Sequence, residues 1–340
     1  MQAKMASRNR LVRAIASAGT MTLFPLAALM ARRLPRSLMS AMCRASVGFW
    51  MKRRRKYMRA IRENYAVILG EPAESPRVRR VAERMIDTHF DAWLDFLRYA
   101  SGPPEQVLAV LEDVEGYNHL RDGLDRGKGV LLLTAHMGNW EMGGLLLATV
   151  RLSVIVVLVP DIFPGVERAR RRLHTDRGVG EIRVDSSFVP TLSILRALSA
   201  NEIVAMQGDR DFDNSGVAIP FFGREAYFPR GPLRVAMATG AAVLPSFVLR
   251  TESGNYRAVI GAPLSVETGP DRDAALRKNL ERYVAILEER VRAAPEQWYC
   301  FYPFWDDPSR KAEGVAGGSP GLTPAGAPSR RPRRRAGTRG

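Results

Sequence analysis

The sequence predicts an α/β fold: a largely parallel central sheet flanked by helices, with a helical N-terminal segment close to a membrane. Three observations carry that prediction. From residue 129 onward, short β-branched and leucine-rich runs alternate with longer helical patterns, the arrangement of parallel strands joined by crossover helices. Val130, Leu131, Leu132 and Leu133 form an unbroken apolar run, as in a strand buried on both faces. Gly138 and Asn139 then interrupt the pattern, and the chain reads as helix from Trp140 through Val150.

Taken in order, residues 1–13 are short and basic. Residues 14–31 then run without a charge between Arg13 and the Arg32-Arg33 pair. That length is marginal for a membrane span, and Pro25 and several small residues dilute it. Two readings fit: a membrane-inserted or interfacial segment, which the flanking arginines favour, and a buried core helix. Lys52-Arg53-Arg54-Arg55-Lys56 follows Trp50. Such a run is either a solvated helix face or, beside an apolar segment and an interfacial Trp, a contact to anionic lipid headgroups. Residues 78–99 carry Val81, Met85, Ile86, Phe90, Trp93, Leu94 and Leu97 at helical spacing, with His89 as a structural histidine among them. A short helix over 106–111, a strand over 114–116 and a helix over 119–126 ending at Gly127 come next.

Beyond the central stretch the prediction places strands at 153–159, 182–184, 203–207, 243–249 and 256–260. It places helices at 166–176, 188–200, 232–239 and 271–293. From residue 309 the composition shifts to Gly, Pro, Ala, Ser and Arg, as in a disordered tail. The expected organisation is a membrane-associated segment over 1–56, a catalytic domain over 57–308 and a basic tail over 309–340.

The formal net charge of +16 favours anionic partners: phospholipid headgroups, an acidic carrier protein or nucleic acid. No nucleic-acid motif accompanies the basic run, so nucleic acid is not expected. Cys43 and Cys300 make no disulfide framework, and with four dispersed histidines they form no metal-ligand cluster. Neither a metal nor a cofactor is expected.

His136 falls at the C-terminal end of the predicted strand, the edge where open α/β sheets gather their reactive groups. Glu141 follows five residues later, in the first turn of the helix. With 35 Asp plus Glu in 340 residues an acid falls at a given spacing about one time in ten, so the spacing alone is weak. The strand-turn-helix context strengthens it. His89, His119 and His174 are followed at that distance by Leu94, Leu124 and Val179. His136 is therefore the candidate general base and Glu141 the carboxylate that would fix its tautomer. Asn139 is placed to cap the helix and, beside the base, to contact substrate. No G-x-S-x-G elbow is present, so direct transfer onto a hydroxyl fits better than a covalent acyl-enzyme.

The run H-M-G-N-W-E at 136–141 resembles the catalytic block of the bacterial lipid A biosynthesis acyltransferases, within the glycerophosphate acyltransferase superfamily. G-D-R-D at 208–211, F-F-G at 221–223, A-T-G-A-A-V-L-P at 238–245 and P-E-Q-W at 295–298 extend the likeness in order. Where the family often has a basic stretch next, this chain has Y-C-F-Y-P-F-W-D-D.

The resemblance implies transfer of a fatty acyl chain from a thioester, on acyl carrier protein or coenzyme A, to a hydroxyl of a lipid A-type or other glycolipid or phospholipid acceptor. It implies a place at the cytoplasmic face of the inner membrane, against an anionic surface. It also implies Asp209 as a second carboxylate near the base and Arg210 as a contact to the acceptor's phosphate, with Arg170, Arg171, Arg230 and Arg250 as further headgroup candidates. Phe221, Phe222, Tyr227 and Phe228 either pack the sheet or line an acyl groove, and an apolar cleft suits a chain. A thioesterase in which His136 activates water, and a catalytically silent membrane-binding protein, are the alternatives.

Overall fold

The apolar run at 130–133 forms a strand buried on both faces at the middle of a seven-stranded sheet. The structure is a computed structural model that describes residues 26–160, 164–185 and 187–305. Its strands are β1 (Leu111–Glu115), β2 (Val130–Thr134), β3 (Val154–Leu158), β4 (Gly180–Arg183) and β5 (Ile203–Gln207). There follow β6 (Val217–Phe221), β7 (Arg224–Phe228), β8 (Ala242–Arg250) and β9 (Tyr256–Ile260). The main sheet has the order β1-β9-β8-β2-β5-β3-β4, and β6 and β7 pair apart from it. β2 pairs in parallel with both β5 and β8, and β3 with both β5 and β4. Only the β8–β9 pairing within this sheet is antiparallel. The expected α/β class, with its mostly parallel sheet and flanking helices, is the observed one.

Helices follow α1 (residues 26–33) as α2 (Arg36–Cys43), α3 (Phe49–Arg53), α4 (Arg55–Leu69), α5 (Pro76–Ser101), α6 (Glu105–Ala109) and α7 (Tyr117–Asp125). Then come α8 (Trp140–Thr149), α9 (Pro164–Asp176), α10 (Val189–Ser199), α11 (Gly231–Thr239) and α12 (Arg272–Ala293). Local chemistry sets their ends. Asn139 caps α8 by accepting from the Met142 N–H, and Ser75 caps α5 ahead of Pro76. Asp271 caps α12 through the N–H groups of Asp273 and Ala274. Alternate β2 side chains divide the core: Leu131 and Leu133 pack with residues of α10, α11 and α12, whereas Val130 and Leu132 meet Leu120 of α7 and Leu147 of α8.

The N-terminal helices rest on α5. Ala31 and Met39 pack with Leu97, and the Arg36 guanidinium grips Asp95 at 3.0 and 2.6 Å. Among the described residues no helix is long and apolar enough to cross a membrane. Most of the uncharged stretch 14–31, and the basic tail from 309, lie outside the described residues.

The β6–β7 hairpin was not anticipated. Phe222 and Gly223 both adopt positive φ, 50° and 74°, so the two-residue connection has the left-handed sense that matches strand twist. A phenylalanine there is unusual. Its N–H donates to Glu288 Oε2 at 2.7 Å and its ring lies 4.9 Å from the Arg292 guanidinium. Phe221 is fully buried among Phe228, Trp298, Phe304 and Trp305. The expectation that Phe221 and Phe222 line an acyl groove is corrected accordingly: they lock the hairpin onto α12 and the C-terminal aromatic segment.

Candidate active site

Because β2 and β5 are adjacent and parallel, the residues that follow them meet at one edge of the sheet. His136 lies two residues beyond β2 and Asp209 two beyond β5. His136 Nδ1 stands 2.8 Å from Asp209 Oδ1, and the His136 main-chain N–H donates to Asp209 Oδ2 at 3.0 Å. The Trp298 indole N–H donates to the same oxygen at 3.1 Å. One buried carboxylate thus receives three donors, fixing the imidazole with Nδ1 protonated. Among the described residues nothing hydrogen-bonds Nε2.

The loop carrying His136 is clamped along its length. The Tyr299 N–H donates to His136 O at 2.7 Å, the Gly138 N–H to Gln297 O at 2.8 Å, and the Asn139 N–H to Val248 O at 2.7 Å. Gly138 has φ +62°, and a Cβ there would fall 2.1 Å from Val248 O, so only glycine fits. The Trp140 ring meets the His136 ring edge-on at 5.5 Å.

His136 is lowered from its ordinary pKa, because burial and the nearby Arg210 guanidinium outweigh the attraction of Asp209. Burial acts to raise Asp209, but His136, Arg210 and the hydrogen bonds it accepts bring it below its ordinary value. At neutral pH the pair is an imidazole beside a carboxylate, which is the state a general base needs. His89 lies nearby, pushed down to about 3 chiefly by burial, its Nδ1 buried without a hydrogen-bond partner among the described residues. Its ring packs edge-on against Tyr299 and Phe301.

Glu141 does not meet His136. The tight turn at Gly138 and the first turn of α8 carry its carboxylate to the far side, where Oε2 lies 2.8 Å from His174 Nε2. His174 Nδ1 in turn lies 2.6 Å from Glu181 Oε1 of β4. Burial alone would lower His174, but hydrogen bonds and charge from both glutamates push it up to about 9. Arg170 Nη1 stands 4.0 Å from Glu141 Oε1, and Arg171 pairs with Glu167 and Glu181 at 3.7 and 3.6 Å. The expected orienting carboxylate is therefore corrected: Asp209 holds His136, and Glu141 belongs to a second, buried charge cluster joining α8, α9 and β4.

The other candidates disperse. Arg210 stays at the site, donating from Nη2 to Tyr299 O and lying over the Tyr302 ring at 5.5 Å. Arg170 and Arg171 lie in the second cluster, where the buried Nε and Nη2 of Arg170 have no hydrogen-bond partner among the described residues. Arg250 is bound to Asp91 at 2.6 Å. Arg230 stands at the N-terminus of α11, and no contact joins it to His136 among the described residues. Asn139 caps α8 as expected, but its Nδ2 also donates to Ala92 O and Tyr256 Oη, both at 3.0 Å. Its expected substrate contact is corrected, because its polar atoms are already engaged. Sequence reasoning missed Trp298, although it had singled out the 295–298 block, and it missed His174.

An apolar slot of about 140 Å³ lies beneath α8, and Trp140, whose ring packs on His136, is part of its lining. Thr134 and Trp140 form its near end. Leu132, Val156, Ala205 and Val248 floor it, and Gly143, Gly144 and Leu147 roof it. Leu108, Val114, Tyr117 and Val150, all exposed, form its rim.

A buried imidazole–carboxylate pair at a sheet edge, near an apolar slot, suits acyl-transfer chemistry, and the family comparison gives the class. Residues 4–306 match the model of the bacterial lipid A biosynthesis acyltransferases, and the chain belongs to that family. It is an enzyme that transfers acyl groups. Among named relatives, the phosphatidylinositol mannoside acyltransferase of Mycobacterium tuberculosis (strain CDC 1551 / Oshkosh) is 26% identical over 251 residues, covering 72% of this chain and 76% of the relative. The protein of that name from Mycolicibacterium smegmatis (strain ATCC 700084 / mc(2)155) is 26% identical over 252 residues, covering 72% and 78%.

Proposed function

We propose that this enzyme moves a fatty acyl chain from a thioester to a hydroxyl of a membrane glycolipid, with a mannosylated phosphatidylinositol as the acceptor type its relatives' names suggest. The observation that carries this is the His136–Asp209 pair, with the Trp140 ring that packs on His136 also lining the apolar slot. In the reaction, Nε2 of His136 takes the proton of the acceptor hydroxyl while Asp209 stabilises the imidazolium. The acceptor oxygen attacks the thioester carbonyl. As the tetrahedral intermediate collapses, the C–S bond breaks and the thiolate takes the proton back from Nε2, giving ester, thiol and neutral base. The acyl chain lies in the slot. Arg210 uses one N–H on Tyr299 O and has others to offer an anionic headgroup.

The N-terminal helices supply the lipid-facing surface. Leu26, Leu29, Leu38, Met42, Phe49 and Trp50 are large, apolar and exposed. Arg53 and Arg54 lie over Phe49 and Trp50 at 4.1 and 3.9 Å, at the head of the basic run. This pattern suits binding to an anionic bilayer at the cytoplasmic face of the inner membrane, where soluble thioester and lipid acceptor meet.

The test is product analysis: purified protein, palmitoyl thioester and a mannosylated phosphatidylinositol in anionic vesicles, followed by mass spectrometry. Acylated acceptor is expected. Free fatty acid as the sole product would replace the proposal with a hydrolase.

A further inference from the structure

We infer that Gly143 and Gly144 set the length of acyl chain the enzyme accepts, an inference that rests on the slot beneath α8 holding that chain. Two consecutive glycines in a helix interior are unfavourable, because glycine has the most backbone freedom to lose and nothing to pack. Such residues are usually demanded by a left-handed backbone or a close approach, and neither holds here. Neither has positive φ. A Cβ at Gly143 would meet only Val248 Cγ2, at 3.5 Å, and one at Gly144 only valine methyls at 3.6 Å or more. Gly138 shows the contrasting case, with backbone 2.1 Å from the added atom. What the missing side chains leave is room, and that room is the slot's roof.

The slot's extent suits a long chain. From Thr134 beside the base it follows β2 toward Val154, which lies at the opposite strand ends because it pairs with Ile203, itself paired with Val130. The four steps from Thr134 to Val130 cover roughly 13 Å at about 3.3 Å each. An extended chain advances about 1.2 Å per bond, so roughly eleven bonds fit before the exposed Val150 at that end. A side chain at position 144, which faces Val156 at the level of Leu132, would block the path beyond the first several carbons, whereas Gly143 faces Val248 at the base end. A short chain would stop before it.

The experiment compares octanoyl, lauroyl and palmitoyl thioesters with the full-length enzyme and its Gly144→Leu and Gly144→Ala variants in vesicles. The expected result is a fall in the palmitoyl-to-octanoyl ratio of kcat/KM by about tenfold or more for Gly144→Leu, with a smaller fall for Gly144→Ala. An unchanged ratio in either active variant overturns the gauge. A turnover-independent arm uses a palmitate analogue carrying a mid-chain diazirine. Labelling of α8 or β2 in the wild type, lost in Gly144→Leu, supports the gauge; labelling elsewhere overturns it. Absence of transfer by the wild type from every thioester would overturn the acyl-transfer proposal instead, and the labelling pattern would still decide the slot.

Discussion

Two histidines of this enzyme each sit beside buried carboxylate, and they come out opposite. His136 has one carboxylate, whose charge is already shared with a main-chain N–H and the Trp298 indole, and it faces Arg210. It stays neutral. His174 has a glutamate on each ring nitrogen and is held protonated, pushed up to about 9. Proximity of an acid does not by itself make a base. What decides is how much of the carboxylate's charge other donors have claimed, and whether a second acid takes the remaining nitrogen. His136 keeps Nε2 without a hydrogen-bond partner among the described residues, as the proposed reaction requires. His174 has neither nitrogen to spare, and its cluster is a fixed joint between α8, α9 and β4.

The largest expected break of this comparison is His136→Ala. Transfer should fall by roughly 10²–10⁴ while the fold persists, measured by initial rates alongside circular dichroism. Wild-type turnover in the folded variant would remove His136 from the chemistry.

Next is the joint. Glu141→Gln or His174→Gln leaves a buried charge without its partner, and such losses typically cost about 3–5 kcal/mol. Urea unfolding should show that loss of stability. Near-wild-type stability in both variants would mean the cluster does not hold α8 in place.

The same contrast predicts a pH dependence. His174 is raised in the folded state from an ordinary 6.5 to about 9, so its stabilisation is fully present below about pH 6.5 and is lost as pH rises through 9. The change is on the order of 3 kcal/mol. His89 and His136 are lowered, so they act in the opposite sense and cost stability as pH falls below 6.5. Thermal unfolding across pH should therefore show a maximum near 6.5, and His174→Gln should flatten the alkaline limb alone.

The smallest effect belongs to Arg210. Replacing it by Gln removes a positive neighbour from His136, so the acid limb of the kcat/KM profile should move to higher pH. An unmoved limb would assign the lowered pKa to burial only.

Much of this was legible in the sequence, for identifiable reasons. Strands β5 and β9 fall where their apolar patterns place them, to the residue, because buried parallel and core strands leave unbroken runs. His136 and Asp209 could be set at one edge because both follow such strands. Glu141's partner was not legible. Helix α8 is apolar on most sides, so its periodicity gives no face, and the residue that claims Glu141 lies 33 positions away on α9. The β6–β7 hairpin hid because its turn uses Phe222-Gly223 rather than an Asn-Gly or Asp-Gly pair. The slot hid because empty space leaves no pattern except two glycines that nothing local requires.

The central claim is that Asp209, and not Glu141, is the carboxylate of the base. The most direct measurement compares kcat at saturating substrate for Asp209→Asn and Glu141→Gln, each corrected for the folded fraction by unfolding curves. Asp209→Asn should lose about 10²–10⁴ in kcat, because the amide no longer holds the reactive tautomer or stabilises the imidazolium. Glu141→Gln should keep kcat in its folded fraction and lose stability. Substantial turnover in Asp209→Asn, with Glu141→Gln folded and inactive, would contradict the account.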